Sequence, residues 1–457
     1  MTTIDSPTFT SPENTQRQRF PSALPSAQEA SPPRPARTAF DYDVAIVGLG
    51  YVGLPTALAY HHAGSRVLAL DVSPARLNTI LSGSADLLES DRERLNSALG
   101  EKTFHLTSDS SLLALAEAVI VCVPTPVDEH LVPDLAALRG ACNAVVAEAT
   151  HGQLIMLTST SYVGCTDDLL VAPLTAAGFS VGRDICVAFS PERIDPGNDS
   201  VSHDDVPRVV GAASPVCLVR AEALLRRYAG SVHPVDSLAA AEMTKLVENT
   251  FRAVNIALAN EFANICLALG ISVTDVLDAA ATKPYGFMKF MPGPGVGGHC
   301  IPCDPHYLLW QLKTRHIEAP MISQAMIEIA GRPRRVIDRV MDVLSGTGRG
   351  LSDASVVVVG VAYKPNVADL RESPALEILE GLADRGARVA YVDALIPSVR
   401  LRNGVILETA ADPAALGADV VIVHTRHDSA DLSWVAPSSL VLDTTYRETA
   451  FPTRIML

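Results

Sequence analysis

Short apolar runs alternate with helical stretches in two separate series along this chain, and one long helical pattern lies between them. The first series comprises DVAIVGLG from Asp43, RVLALDV over Arg66–Val72, VIVCVPT over Val119–Thr125 and LIMLTST over Leu154–Thr160. Further runs follow at Cys186–Ser190 and Arg208–Ala213. Segments that are apolar throughout fit strands covered on both faces, as in a parallel sheet between two helix layers. The second series begins with SVVVVGVAY at Ser355–Tyr363 and continues through RVAYVDA, DVVIVHT and SLVLDTT. Between them, Met243, Leu246, Val247, Phe251, Val254, Leu258, Phe262, Ile265 and Leu269 recur at three-to-four residue spacing. This predicts one helix over Leu238–Leu269, roughly 45 Å long. Such a helix bridges domains or packs against its own copy; two helices broken near Asn255–Asn260 are the alternative.

The 457 residues exceed what one core organises. A net charge of -15 argues against a general nucleic-acid binder, which needs a positive surface to displace phosphate counterions. No apolar run approaches the roughly 20 residues that span a bilayer, so no membrane partner is expected. Eight cysteines are scattered from Cys122 to Cys303 rather than clustered as in a secreted disulfide scaffold, which points to a reducing cytoplasm. The first forty residues, rich in Ser, Pro and Thr, read as a disordered tail.

The segment VAIVGLGYVGLP sets Gly48, Gly50 and Gly53 in G-x-G-x-x-G spacing between a predicted strand and helix. Gly48 permits the tight turn, Gly50 admits a pyrophosphate close to the backbone, and Gly53 lets helix pack on strand. The helix N-terminus faces the phosphates with N–H groups and positive potential. Asp71 ends the second strand, where a carboxylate can accept both ribose hydroxyls, favouring NAD over NADP; Arg76 nearby pulls the other way. Thr125 and Thr160 end later strands on the same side, where they line a nicotinamide pocket or merely cap turns. The expected fold class is therefore α/β: two Rossmann-like doubly wound parallel-sheet domains joined by a long central helix. The expected divisions are a tail over 1–40, a dinucleotide domain over 41–236, a central helical region over 237–335 and a smaller α/β domain over 336–457.

Cys300 follows Gly293, Gly295, Gly297 and Gly298, and glycines let a loop wrap closely around a ligand. A thiolate there could add to an aldehyde, and the adduct could lose a hydride to become a thioester. A structural cysteine is the other reading. Cys300 and Cys303 form a C-x-x-C, but no second Cys or His pair at ligand spacing follows, so no metal is expected and Cys303 reads as a small buried residue. Asp304 could order or deprotonate water. On the long helix, Lys245, Asn249 and Arg252 share a face able to donate to an oxyanion, unless that face is a solvated stripe with Glu248 paired to Arg252.

Six segments in order resemble the UDP-glucose/GDP-mannose dehydrogenase family: VGLGYVGLP, CVPTPVDEHLVPDL, FSPERIDPG, AEMTKLVENTFRAVNIALANE, GPGVGGHCIPCDPHYL and GVAYKPNVADLRESP. The resemblance runs from Asp43 to the last strand. It implies an NAD domain, a central helix that makes a homodimer or higher homo-oligomer, and a C-terminal domain that binds a UDP-sugar. Cys300 is then the nucleophile, Lys245 and Asn249 hold the oxyanion or water, Asp304 assists proton transfer, and Glu192 and Thr125 complete the catalytic set. The implied NAD contacts are Gly48, Gly50, Tyr51, Val52, Gly53, Asp71, Arg76, Thr125, Thr160 and Arg371. The implied substrate contacts are Glu192, Arg193, Ile194, Lys245, Asn249, Arg252, Tyr285, Phe287, Gly297 and Lys364.

The GGHC, ATKPYGFM and RESP segments look more like enzymes acting on UDP-N-acetylhexosamines (UDP-GlcNAc or UDP-ManNAc) than on UDP-glucose, with Tyr285 and Phe287 bordering the nucleotide. The implied reaction is NAD-dependent four-electron oxidation at C6 to the uronate. A UDP-glucose 6-dehydrogenase, a one-step alcohol dehydrogenase and a non-catalytic ligand-binding regulator are the alternatives. The chain departs from its relatives at Thr158, Val163 and Cys165 in TSTSYVGCT, a loop bordering the nicotinamide, and at Cys303.

Overall fold

The computed structural model describes residues 39–85, 87, 89–193, 205–298, 300–447, 451 and 454–457. The tail expected over 1–40 lies outside them except for Ala39 and Phe40, and Ile194 also lies outside. The N-terminal sheet is built from β1 (Tyr42–Val47), β2 (Val67–Leu70), β3 (Phe104–Thr107), β4 (Ala116–Val121), β5 (Leu154–Leu157), β6 (Cys186–Phe189), β7 (Arg208–Ala212) and β8 (Val232–Pro234). Their order is β3-β2-β1-β4-β5-β6-β7-β8, parallel except where β6 meets β7. Alternate residues of β1 enter opposite cores: Val44 and Ile46 go to one, Ala45 and Val47 to the other. That is why the run is apolar at every position rather than at every second one. Helices α1 (Gly53–His62), α2 (Pro74–Leu81), α3 (Glu89–Ala98), α4 (Ala136–Ala147), α5 (Ala172–Ala176) and α6 (Pro215–Leu225) accompany this sheet.

Helix α7 runs unbroken over Leu238–Leu269, so the alternative break near Asn255–Asn260 is absent. Ser237 caps its first turn by accepting from Ala240 N–H, and Gly270, with φ of 69°, closes it in the left-handed conformation. Most of the apolar stripe that reveals this helix in the sequence lies outside its inner face, Leu246 being the fully buried exception. Val247, Phe251, Leu258, Phe262, Ile265 and Leu269 are exposed, while Ala253, Ala257 and Ala263 are buried. Small side chains on that inner face let α10 (Pro320–Gly346) approach closely. Helix α8 (Val273–Ala281) follows α7, and α9 (Asp304–Lys313) follows the glycine loop. Because α10 is continuous, the division expected at 335/336 falls inside a helix, with Pro333 in its interior.

The C-terminal sheet comprises β9 (Ser355–Val359), β10 (Arg388–Val392), β13 (Val420–Val423), β14 (Leu440–Asp443) and β15 (Arg454–Met456). It is parallel throughout, in the order β10-β9-β13-β14-β15. Helix α11 (Pro374–Ala383) packs on it, and β11 (Ser398–Arg400) pairs with β12 (Ile406–Glu408) in a separate hairpin. In each sheet the strand order reverses beside the first strand of the unit, which opens a crevice at the carboxyl ends. Among the described residues no helix is long and apolar enough to cross a membrane.

Candidate active site

The first crevice lies over the glycine turn. Gly48 has φ of 92°, and a side chain at Gly53 would overlap the Gly48 carbonyl oxygen, so both glycines serve the strand-to-helix packing. Gly50 differs: nothing lies within 4 Å of where its Cβ would stand, which leaves open space for a phosphate. Asp71 Oδ2 accepts from Leu49 N–H at 2.9 Å and Oδ1 from Ser73 N–H at 2.9 Å. Each oxygen keeps a lone pair for a ribose hydroxyl. Arg76 is tied back to the turn by Nε–H donation to Leu49 O at 2.7 Å. Val52 precedes α1, and its carbonyl accepts from Thr56 Oγ1 at 2.8 Å. Across the crevice, the Arg371 guanidinium stacks 4.1 Å from the Tyr51 ring centroid while Asp369 holds it from behind at 2.7 Å. The C-terminal domain thus reaches over the glycine turn. Thr125 is buried beyond β4, and its carbonyl accepts from Tyr307 OH at 2.6 Å; Thr160 is half-buried beyond β5.

The C-terminal unit repeats this turn, but its acidic side chain is already engaged. Gly360 N–H donates to Val392 O at 2.8 Å, as Gly48 N–H does to Leu70 O at 2.8 Å, and Val361 N–H donates to Asp393 Oδ2 at 2.7 Å. Asp393 Oδ2 also faces His427 Nε2 at 3.2 Å, and Oδ1 accepts from Leu395 and Ile396 N–H. With Asn366 N–H donating to His427 Nδ1, the proton belongs on Nε2 and fills the carboxylate's last site. Helix α11 begins at Pro374, and its N-cap Ser373 donates through Oγ to Val361 O at 2.7 Å, beside the Gly360 turn. Of the two turns, the first is the one whose acidic side chain keeps acceptor sites for ribose hydroxyls.

The chemistry-bearing side chains gather where α7 meets α9. Lys245, Asn249 and Asp304 are only 7%, 4% and 4% exposed. Asn249 Nδ2 donates to Asp304 Oδ2 at 2.5 Å. Burial pushes the Asp304 carboxyl up to about 6, against the pull of the Lys245 charge and the Asn249 hydrogen bond. Cys300 opens the turn into α9, its carbonyl accepting from Asp304 N–H at 2.8 Å. Its residue remains open to solvent at the mouth. Crowding by protein raises the thiol pKa, with the Asp304 charge adding to it and Lys245, Arg371 and Arg252 opposing it. Arg252 is exposed one turn beyond the buried pair, so of these three side chains only Lys245 and Asn249 are interior.

The glycine loop before Cys300 is clamped at both ends. Gly293 N–H donates to Asn260 Oδ1 at 2.9 Å, its carbonyl accepts from Arg332 Nε at 3.0 Å, and Gly298 N–H donates to Arg371 O at 2.9 Å. A Cβ on Gly297 would stand 2.7 Å from Glu372 O, so glycine is required where this loop meets the C-terminal domain. Lys364 is half-buried just beyond β9.

Half-buried Glu192 pairs with buried Arg208 at 2.6 Å, and Arg193 binds Glu248 at 2.7 Å, so Glu248 pairs across elements with Arg193. Tyr285 and Phe287 are turned to solvent, Tyr285 beneath the Lys283 ammonium. Sequence reasoning missed Glu242, Asn260, Tyr307, Gln311 and Arg332, all of which position site loops. Glu242 had one signal: it stands one turn before Lys245 on the same helix face.

Residues 42–229 match the NAD binding domain of the UDP-glucose/GDP-mannose dehydrogenase family, residues 239–329 its central domain and residues 357–446 its UDP binding domain. The chain is 33% identical over 407 residues to the UDP-N-acetyl-D-mannosamine dehydrogenase of Salmonella typhi, covering 84% of this chain and 93% of that protein. It is 32% identical over 405 residues to the NDP-N-acetyl-D-galactosaminuronic acid dehydrogenase of Ralstonia nicotianae, covering 84% and 90%. The solved UDP-D-ManNAc dehydrogenase of Pyrococcus horikoshii superposes with a TM-score of 0.82 at 29% identity, covering 90% of this chain and 98% of that one. Fold, crevice and relatives together define an NAD-dependent nucleotide-sugar dehydrogenase. The chain belongs to the UDP-glucose/GDP-mannose dehydrogenase family.

Asp71→Ala is expected to raise the NAD dissociation constant about 10–100-fold, since hydrogen bonds to a charged group contribute about 1.5–3 kcal/mol, with UDP affinity unchanged. Calorimetric titration checks it; unaltered NAD affinity would show that Asp71 does not hold the ribose.

Proposed function

We propose that this enzyme oxidises C6 of a UDP-N-acetylhexosamine, UDP-ManNAc or UDP-GlcNAc, to the carboxylate through a covalent adduct on Cys300. The observation that carries this reading is the buried Lys245–Asn249–Asp304 cluster set against a thiol at the mouth of the cleft. The names of the Salmonella typhi and Pyrococcus horikoshii relatives support the acetamido sugar.

NAD bound over Gly48, Gly50, Gly53 and Asp71 supplies a hydride acceptor for both oxidations. Asp304, with a carboxyl shifted toward neutrality, accepts the C6 hydroxyl proton directly or through water. Cys300 Sγ bonds to the aldehyde carbon and gives up its proton. Lys245 and the second N–H of Asn249 donate to the resulting oxyanion, which collapses to a thioester as the second hydride leaves. Asp304 then directs water onto the thioester; the C–S bond breaks and Cys300 is released. The balance is RCH2OH, water and two NAD to RCOO⁻, two NADH and three protons.

The exposed apolar face of α7, from Val247 through Phe262 to Leu269, supports a homodimer in which a second copy covers it. The reaction itself fits the compartment expected from the cysteine pattern, a reducing cytoplasm.

Purified enzyme with UDP-ManNAc is expected to release two NADH per sugar consumed, with UDP-GlcNAc and UDP-glucose as comparison substrates. Cys300→Ala is expected to make no uronate, and parental uronate formation by that variant would remove the covalent step. Because Asp304 must be ionised to accept a proton, kcat should fall about tenfold per pH unit below about 6. A pH–rate profile reads this, and a flat acid limb would exclude Asp304 as the base. Phe262→Glu is expected to sediment as a monomer where the parent sediments as a dimer; an unchanged sedimentation coefficient would place the interface elsewhere.

A further inference from the structure

The segment from Thr158 to Thr166 leaves the carboxyl end of β5, on the side of the sheet where the second half of a dinucleotide lies. It is pinned from three sides. Ser159 Oγ accepts from Val123 N–H at 2.9 Å and donates to Val123 O at 2.8 Å, fastening the loop to the end of β4. Gln311, two turns along α9 from Asp304, accepts from Val163 N–H at 3.1 Å and donates to Val163 O at 2.7 Å. From α7, Glu242 Oε2 accepts from Gly164 N–H at 2.5 Å, and its Oε1 accepts from Thr166 N–H at 2.9 Å and Thr166 Oγ1 at 2.7 Å.

Glu242 is 3% exposed. A buried carboxylate is an expensive way to fill space, since an apolar side chain of similar size does so without desolvating a charge. What the carboxylate adds is direction, because three donors converge on two oxygens and fix the loop to within hydrogen-bond tolerance. Burial raises the Glu242 pKa, and the Gly164 and Thr166 hydrogen bonds oppose that rise. Glu242, Lys245 and Asn249 stand at i, i+3 and i+7 of one helix and face the same way. The loop is thereby locked to the very turns of α7 that carry the oxyanion donors, and through Gln311 to the helix that begins with Asp304.

We infer that Glu242 is a positioning residue for hydride transfer. Acting through Gly164 and Thr166, it holds the Thr158–Thr166 wall of the nicotinamide pocket in register with Lys245 and Asn249, so that the sugar carbon at Cys300 meets the hydride acceptor in line. It touches no reacting atom. The inference rests on the reading of this site as NAD-linked oxidation at Cys300.

Glu242→Gln keeps the volume, but turns an amide NH2 toward one of the backbone N–H groups the carboxylate now satisfies. In the full chain, assayed with UDP-ManNAc carrying protium or two deuteriums at C6, kcat is expected to fall about 10–100-fold, the scale of a small misplacement of reacting groups. The primary deuterium isotope effect on kcat is expected to rise, because hydride transfer becomes the slow step. UDP affinity, which depends on the other domain, should stay within about twofold of the parent. Parental kcat with a parental isotope effect overturns the inference. So does a loss of kcat that tracks a fall in melting temperature with the isotope effect unmoved, which marks a purely structural role. If Glu242→Gln does not fold, Thr166→Val and Gln311→Leu each remove part of the same clamp; a raised isotope effect in either supports the inference, and parental isotope effects in both overturn it. Failure of the parent enzyme to yield two NADH per sugar would instead overturn the proposed reaction, so the two failures are separable.

Discussion

The hydrogen bond between Asn249 and Asp304 joins the central helix to the helix that follows Cys300, in a part of the molecule almost closed to water. A carboxylate in that position is tolerated only with partners; stripping one from a buried pair costs about 3–5 kcal/mol. Lys245 supplies the charge and Asn249 the directed donor, so α7 and α9 can sit together only with these three side chains in one arrangement. Cys300, whose carbonyl accepts from Asp304 N–H, is carried to the mouth of the cleft by that same junction. Stability of the interdomain core and placement of the Cys300 thiol are therefore one constraint.

The two α/β units share the same turn chemistry and differ in how much of an acidic side chain they leave unspent. Asp71 gives each oxygen one backbone N–H and keeps a free lone pair on each. Asp393 has both oxygens filled, partly by His427, a side chain from beyond β13. One carboxylate can therefore greet a ribose, while the other serves as an internal strut. The second unit reaches the site by a different route, sending Arg371 over Tyr51 and pressing Tyr363 and Glu372 against the glycine loop.

Much of the architecture was legible in the chain. The limits of α7 read from periodicity coincide with the observed helix, because Ser237 and Gly270 punctuate it by local chemistry. Strands β1, β2, β4, β5, β6, β7, β9, β10, β13 and β14 all fall on recognised apolar runs. Strands β3, β8 and β15 did not stand out, since each is short and less buried than the inner strands, leaving a weaker apolar signature. The face of α7 was misleading for a physical reason: beyond Leu246 its large apolar residues are mostly turned away from the core of the single chain, and alanines and polar groups point in.

Glycine spacing, the acidic end of β2 and a cysteine after a glycine-rich segment are local signals, and local backbone chemistry is enough to write them into a sequence. Those features pointed to a dinucleotide-binding turn and to a thiol presented by a glycine-rich loop. Whether Glu242 faces solvent or clamps a loop, whether Tyr307 holds Thr125, and whether the acidic residue of each crevice is already engaged depend on partners tens or hundreds of residues away. A hydrogen bond satisfied across such a distance leaves no spacing to read, so only the folded arrangement of α7, α9 and the two sheets decided it.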